Sequence, residues 1–406
     1  MTSLCERFPY RPFPIEMKIA RKKSHGGFAL IIVMLTIITL TTLVASLAIS
    51  MNTEIRLARN SDYDNEMEWM GRSGIELARF ALANKCAGQQ GIDALNQFWA
   101  GGTAPCSNDI PQISLKDVPL GHGKISVTIT DMERKWDINV VCNPRAPQLD
   151  VLQKALTEIG VSDAALNSTI MDSLRDWISP IGTASFSGAK NDFYLQQKPP
   201  YYCKNATIDD LSELLLIKGI TSEIYWGSNA TNHPESAFQQ HGGGPFEQPT
   251  HGGGGFGANK DAPVYPMGLH DLFSPLGAKL NINTASLRTL QLIPGMDENS
   301  AQAIIRQRAG PDGIDGTEDD APFQNIGEIN SGMPGGAPAA PPPNVPGAPP
   351  QGVAAQGLAN YIDVRSYVFE VKVEASINDY KRTFYGIVSR AGPSGQQTKC
   401  VKFYWE

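Results

Sequence analysis

Histidine is scarce, six residues in 406, and none stands in an HExxH pair; a GxSxG elbow and a phosphate-cradling GxxxxGK[ST] loop are also missing. No cysteine has a suitably placed histidine. Hydrolytic and nucleotide-driven chemistry therefore lack their usual carriers, and the chain reads as a non-enzyme. Of the six cysteines no two form a CxxC, which removes zinc-finger and ribbon geometry. Positive charge is also short: 34 Lys and Arg stand against 41 Asp and Glu, a formal net charge of −7. A body of that sign repels a phosphate backbone and argues against a nucleic-acid partner.

Long apolar runs are absent with one exception, and that exception organises the chain. After Lys22-Lys23-Ser24-His25-Gly26-Gly27, the 24 residues from Phe28 to Met51 carry no charge. At about 1.5 Å per residue in a helix they cross a bilayer core of roughly 30 Å. Residues 1–27 hold six Lys/Arg against Glu6 and Glu16, a surplus of four positive charges out of the total of −7, so the remainder carries −11. The positive-inside rule keeps the basic leader in the cytoplasm and exports the rest. No polar, small-residue cleavage region follows the run. From Thr53 to Lys85 charges alternate with Ile55, Leu57, Met67, Met70, Ile75, Leu77, Phe80 and Leu82 at helical spacing, so one helix leaves the membrane and becomes amphipathic. Met1 to Glu16, with Pro9, Pro12 and Pro14, reads as unstructured, and Met17 is an alternative start.

A basic leader ending in Gly27, with Phe28-Ala29-Leu30 opening a long half-apolar helix, resembles the type IV pilin and pseudopilin family. The resemblance implies that a prepilin peptidase cuts after Gly27 and methylates the new N-terminus at Phe28. Most members carry Glu at the fifth mature position; here it is Ile32. That departure is similar to the K type of minor pseudopilin in type II secretion systems, in which the missing acid suits a place at the filament tip. The partners implied are the minor pseudopilins of types I and J, the major pseudopilin and the prepilin peptidase. The location implied is the inner membrane, crossed once, with the C-terminal domain in the periplasm.

Lys124 to Asp131 alternates as a half-buried strand, with Lys135 to Val141 as its candidate partner. Tyr361 to Ala375, Tyr380 to Ser389 and Thr398 to Trp405 are again β-branched and aromatic. Between them lies a helix-rich middle: Leu149 to Ile159, Ala164 to Trp177, Thr207 to Ile217, Ser286 to Leu292 and Ser300 to Arg308, with Ser162, Thr207 and Asn283 as expected caps. The class is α+β: a pilin-like long N-terminal helix packed on an antiparallel sheet, with a large helical domain of helix-hairpin-helix or SAM-like type inserted between strands. The expected organisation is a leader over 1–27, the membrane half of the helix over 28–51 and the amphipathic helix with the first strands over 52–143. The inserted domain then covers 144–330, a Pro/Gly-rich linker 331–358 and the last strands 359–406.

The middle contains a repeat. Setting Gly219 against Gly295 aligns Leu211 with Leu287, Leu214 with Leu290, Leu216 with Leu292 and Ile217 with Ile293. The second copy resembles a helix-hairpin-helix, a motif that offers backbone amides to a phosphate in its DNA-binding versions. Here Asp297 and Glu298 follow the turn, where they repel a phosphate and serve the helix as first-turn acids. The stretch Asp176-Trp177-Ile178 through Asp192-Phe193-Tyr194-Leu195 is similar to the K-type insertion, in which the resemblance implies bound calcium. In this sequence the usual acids are replaced by Ser179-Pro-Ile-Gly-Thr-Ala-Ser185, leaving Asp176 and Asp192. The better calcium candidate is the loop with Asp312, Asp315, Thr317, Asp319 and Asp320, where acids alternate and glycines permit a tight turn, although position twelve is Ile326 instead of Glu. In an oxidising exported compartment Cys86–Cys106 and Cys142–Cys203 are candidate disulfides, with Cys400 left over. His241 to Asn259 and Gly332 to Gly357 read as spacers. Two other readings share parts of this pattern: a tip minor pilin of a type IV or competence pilus, and a membrane-anchored nucleic-acid binder using the Gly219 and Gly295 hairpins.

Overall fold

Helix α1 runs from Gly26 to Ala83. The computed structural model describes residues 26–83, 91–103, 114–145, 148–228, 265–329, 358–391 and 397–405; Cys86, Cys106, both histidine-bearing spacer positions and residues 1–25 of the leader lie outside them. The chain forms two units, Met1–Asp64 and Asn65–Glu406.

In the first unit every side chain from Phe28 to Met51 is exposed. A helix that is apolar on all faces and buries none of them is suited to lipid. Ile55 and Leu57 are exposed as well, so the apolar stripe expected from Thr53 onward starts later. In the second unit Met67, Met70, Ile75, Ala78, Ala81 and Leu82 are buried at the i, i+3, i+4 spacing of a packed helix face, while Phe80 stays exposed. Two glycines on that face bring the sheet close. A Cβ on Gly71 would lie 2.5 Å from the Phe384 ring, and one on Gly74 would lie 2.5 Å from Cγ1 of Val373.

The sheet has five antiparallel strands in the order β1-β2-β7-β8-β9. They are β1 Val118–Leu120, β2 Gly123–Asp131, β7 Val368–Ile377, β8 Tyr380–Ala391 and β9 Gln397–Trp405. Period-two alternation buries Ile125, Val127 and Ile129 of β2 and Phe369, Val371, Val373, Ala375 and Ile377 of β7 on one side. Asn378-Asp379 makes the two-residue hairpin between β7 and β8, with Asn378 in the left-handed region at φ 52°. The adjacent pair β2 and β7 is separated in sequence by everything from Met132 to Tyr367, so the helical region is an insertion between neighbouring strands.

Lys135 to Val141 does not pair with β2, whose two neighbours are β1 and β7. Instead β3, Trp136–Asp137, pairs in parallel with β4, Phe273–Ser274, inside the insertion. The Asp137 carboxylate then accepts from the Asn139 amide and starts the short helix α2, Ile138–Val141, which ends any extended run. The other helices of the insertion are α3 Leu149–Ile159, α4 Ala164–Ile178, α5 Asn191–Tyr194, α6 Ser222–Trp226, α7 Leu269–Leu272, α8 Leu287–Gln291 and α9 Glu298–Arg308. A second parallel pair joins β5, Leu280–Asn281, to β6, Ile362–Asp363.

The caps differ from those expected. Asp163 caps α4 in place of Ser162, and Asp210 forms a capping box with Glu213 that shortens the Thr207–Ile217 helix to a 3-10 turn over Leu211–Leu216. Ser286 caps α8, because Asn283 is spent on Phe323, accepting from its amide at 2.9 Å and donating to its carbonyl at 3.0 Å. The repeat survives in backbone detail. Gly219 (φ 90°) and Gly295 (φ 78°) are both left-handed, and each turn carries the same bonds, Ile220 N to Ile217 O and Met296 N to Ile293 O, both 3.1 Å. Asp210 and Ser286 cap the first helical segment of each copy, Thr221 and Asp297 the second.

The close approach of α1 to the sheet predicts that Gly74→Leu, despite its better helix propensity, costs about 1–3 kcal/mol through overpacking against Val373. The neighbouring exposed position serves as control, with Ser73→Ala within about 0.5 kcal/mol. Denaturant unfolding of the two variants measures both, and equal stabilities would contradict the packing.

Candidate functional site

The densest polar constellation lies where the insertion joins the sheet. Asp131 ends β2, is 2% exposed, and uses both oxygens. Its Oδ2 accepts from the hydroxyls of Ser366 and Thr284, both at 2.5 Å, and from Asn281 Nδ2 at 3.3 Å; Oδ1 accepts from the Glu133 amide at 2.8 Å. Asn281 Nδ2 also donates to the Asp93 carbonyl at 3.0 Å and to Ser366 Oγ at 2.7 Å. Asp93 pairs with Arg390 of β8 at 2.6 Å, both partners being almost fully buried, and accepts from the Ser366 amide at 3.0 Å. Arg390 donates onward to the carbonyl of Leu82 in the last turn of α1 and to that of Ser366, and its guanidinium lies 4.9 Å over the Phe369 ring. Helix, sheet and insertion thus share one buried network.

Three carboxyls at this junction are pushed upward. Burial raises Glu133 to about 8, helped by the nearby Asp131 charge, while its Oε2 accepts from the Tyr367 amide at 2.7 Å. Burial raises Asp131 to about 6, opposed by the Ser366 and Thr284 hydroxyls. Burial likewise raises Asp137 to about 7, against the Asn139 and Val140 amides. These are groups of a dry, crowded joint. Asp131 faces the protein's own hydroxyls, and Glu133 and Asp137 face backbone amides.

The acidic loop closes on itself. Arg308, 5% exposed, grips Asp315 through two bonds of 2.9 and 2.8 Å and donates its remaining nitrogen to the carbonyls of Ile282 and Ala285. Asp312 accepts from the Ile314 amide at 2.7 Å, Asp319 from the Asp312 amide at 3.1 Å and the Thr317 hydroxyl at 2.7 Å, and Asp320 from the Gly316 amide at 2.8 Å. Among the described residues no group of three or more His, Cys, Asp or Glu is gathered to hold a metal ion. In this arrangement the acids of the loop are already engaged, Asp315 by an arginine and Asp312, Asp319 and Asp320 by amides and the Thr317 hydroxyl, so calcium there would have to displace these partners.

The candidate disulfide Cys142–Cys203 is not formed; both are free, buried thiols. Each sulfur sits in its own surroundings. Cys142 follows α2, where burial pushes its thiol up to about 12, and Cys203 Sγ donates to the carbonyls of Asp176 and Trp177 at the end of α4. Cys86 and Cys106 lie outside the described residues. At the hairpin after Gly295, the N-terminus of α9 is filled by the chain itself: the Asp297 carboxylate accepts from the Ser300 amide at 2.9 Å, with Glu298 in the first turn. Of the processing pair, Gly27 lies in the first turn of α1 and Phe28 is 69% exposed. Sequence reasoning missed the junction, because Asp93, Asp131, Asn281, Ser366 and Arg390 are scattered over three hundred residues; the one local signal was an Asp at the end of an alternating strand.

Residues 134–226, which run from just after β2 through α6, match the family described as Type II secretion system (T2SS), protein K. The chain is 24% identical over 210 residues to the putative type II secretion system protein K of Escherichia coli K12, covering 50% of this chain and 60% of that protein. It is 25% identical over 211 residues to the type II secretion system protein K of Pseudomonas aeruginosa, covering 48% and 58%. The match therefore spans less than two thirds of these relatives. A chain in the crystal structure of the GspK-GspI-GspJ complex from the enterotoxigenic Escherichia coli type 2 secretion system superposes with TM-score 0.54 at 17% identity, covering 86% of this chain and 99% of that one. That likeness shows a shared fold over most of the chain.

The raised carboxyls set a pH dependence. Each folded-state pKa lies above its unfolded value, so the protonated form favours the fold. That contribution is complete below about pH 4 and is lost as pH rises through about 6 to 8. Melting temperature should fall from pH 5 to pH 9, and Glu133→Gln, permanently neutral, should flatten the upper part of the slope; an unaltered slope would contradict the assignment. Calcium at residues 312–320 stands as a proposal. A melting temperature that rises with millimolar calcium supports it, and superimposed curves with calcium and with chelator dismiss it.

Proposed function

We propose that this chain, which belongs to the type II secretion system protein K family, is a minor pseudopilin that caps the tip of the pseudopilus and takes part in export across the outer membrane. The observation that carries the reading is the coincidence of a K-type insertion with an apolar residue, Ile32, at the fifth position after Gly27. In a filament of packed N-terminal helices, an acid at that position neutralises the amine of the subunit ahead. A subunit lacking it suits the place with nothing ahead. The insertion between β2 and β7 supplies bulk that blocks a further subunit from adding above.

The exposed apolar helix Phe28–Met51 serves twice, first as a single-pass anchor in the inner membrane and then as the surface that packs among pseudopilin helices. The −11 remainder then lies in the periplasm. Minor pseudopilins of types I and J are the partners proposed, because a solved chain of similar fold comes from a GspK-GspI-GspJ complex. The major pseudopilin and the prepilin peptidase follow from the same assignment. The work done is mechanical and structural, and no residue is assigned a catalytic step.

Processing tests the assignment. Intact-mass measurement of the chain expressed with a prepilin peptidase should show loss of residues 1–27 and gain of one methyl group on Phe28, and Gly27→Leu should abolish both. A chain that keeps its leader, or is trimmed elsewhere, would contradict the pseudopilin reading.

A further inference from the structure

Lys190 is only 5% exposed, yet among the described residues no carboxylate touches its ammonium. Its Nζ donates to the carbonyl of Asp176 at 2.5 Å, to the carbonyl of Ser179 at 2.6 Å and to Oδ1 of Asn205 at 2.6 Å. An ammonium has three protons, and all three are placed on oxygen. The acceptors come from two distant stretches. Asp176 and Ser179 end α4, where carbonyls have no partner from the helix and where the negative end of the dipole lies. The amide that would serve the Asp176 carbonyl belongs to position 180, and that residue is Pro180, which has none. Asn205 is held in the left-handed region at φ 54°, and its Nδ2 donates to the Cys203 carbonyl at 3.0 Å, so its oxygen is fixed toward the lysine.

The same corner orders the loop between α4 and α5. The Asp176 carboxylate is spent on Ser185, accepting from its amide and its hydroxyl at 2.8 Å each, and Asp172 accepts from the Ser187 amide at 3.1 Å. Gly188 fits only because it lacks a side chain: a Cβ there would lie 1.9 Å from Oδ2 of Asp176. Phe186, between the two clamped serines, is fully exposed.

We infer that the Lys190 ammonium is a tethered cation that fills an oxygen cage at the end of α4, so that the loop over residues 179–188 is ordered without a bound metal ion. Carbonyl and amide oxygens are what hard cations select, but a divalent ion in a buried cage of three neutral oxygens beside one carboxylate would leave its charge uncompensated. A single positive charge balances Asp176. The loop over residues 179–188 has no acid of its own, and the lysine opposite it supplies the cation from within the chain.

Lys190→Ala in the full chain in detergent removes three methylenes and the ammonium, the atoms of n-propylammonium. The variant should melt lower and be cut by protease between residues 179 and 205, and n-propylammonium should restore both in a saturable way where n-propanol and calcium do not. Recovery with n-propanol, recovery with calcium, or full stability of Lys190→Met would each overturn the inference. A second readout needs no variant: in the wild-type chain the Ser185 and Ser187 amides should stay protected from hydrogen exchange after exhaustive chelation. Loss of that protection on chelation would show that a metal, and not Lys190, holds the loop.

Discussion

The buried pair of Asp93 with Arg390 and the Asp131 network beside it is the constraint on which the second unit depends. An insertion of more than two hundred residues between adjacent strands is a topological hazard, since β2 and β7 must pair across it. The network answers by tying the end of β2, the return segment at Ser366, β5 of the insertion, β8 and the last turn of α1 to one another. Removing one member of a buried ion pair leaves a charge unpaired at about 3–5 kcal/mol, a large share of a domain's stability. The insertion is therefore fused to the sheet and is not a bead on a linker.

The rest of the unit is ordinary packing placed by that joint. Gly71 and Gly74 let α1 settle on Phe384 and Val373, and Gly386 leaves room for Ile75, so the helix and sheet meet through glycine on both sides. Trp99 meets Phe369 edge-on at 5.1 Å just under the Arg390 guanidinium, which closes the joint with aromatic surface. Within the insertion, the two hairpins repeat the same turn bonds and the same capping logic, which is how a helical body with short helices stays specific.

What the sequence made legible were features with a local period or a fixed motif. The apolar run Phe28–Met51, the alternation of β2, β7 and β8, and the Gly219/Gly295 repeat are each read off contiguous stretches of sequence. The α+β class with an inserted helical domain followed from them. What was not legible needed partners far apart. Lys135 to Val141 alternates like a strand, but its pairing was decided by Phe273, and its helix by the Asp137 side chain. Cys142 and Cys203 suggested a bridge in an oxidising compartment, and both are free, buried thiols. The acids of residues 312–320 had calcium-loop spacing, and the reach of Arg308 from α9 could not be seen from that spacing.

In the proposed function, the fused insertion makes this chain a cap on a set of minor pseudopilins. The most direct measurement is co-purification of the full chain in detergent with the types I and J minor pseudopilins of the same genome, followed by mass determination of the complex. A stable 1:1:1 assembly with this chain at one end and no second copy added above it is the expected result. Failure to bind them, or recruitment of a further subunit onto the insertion face, would contradict it.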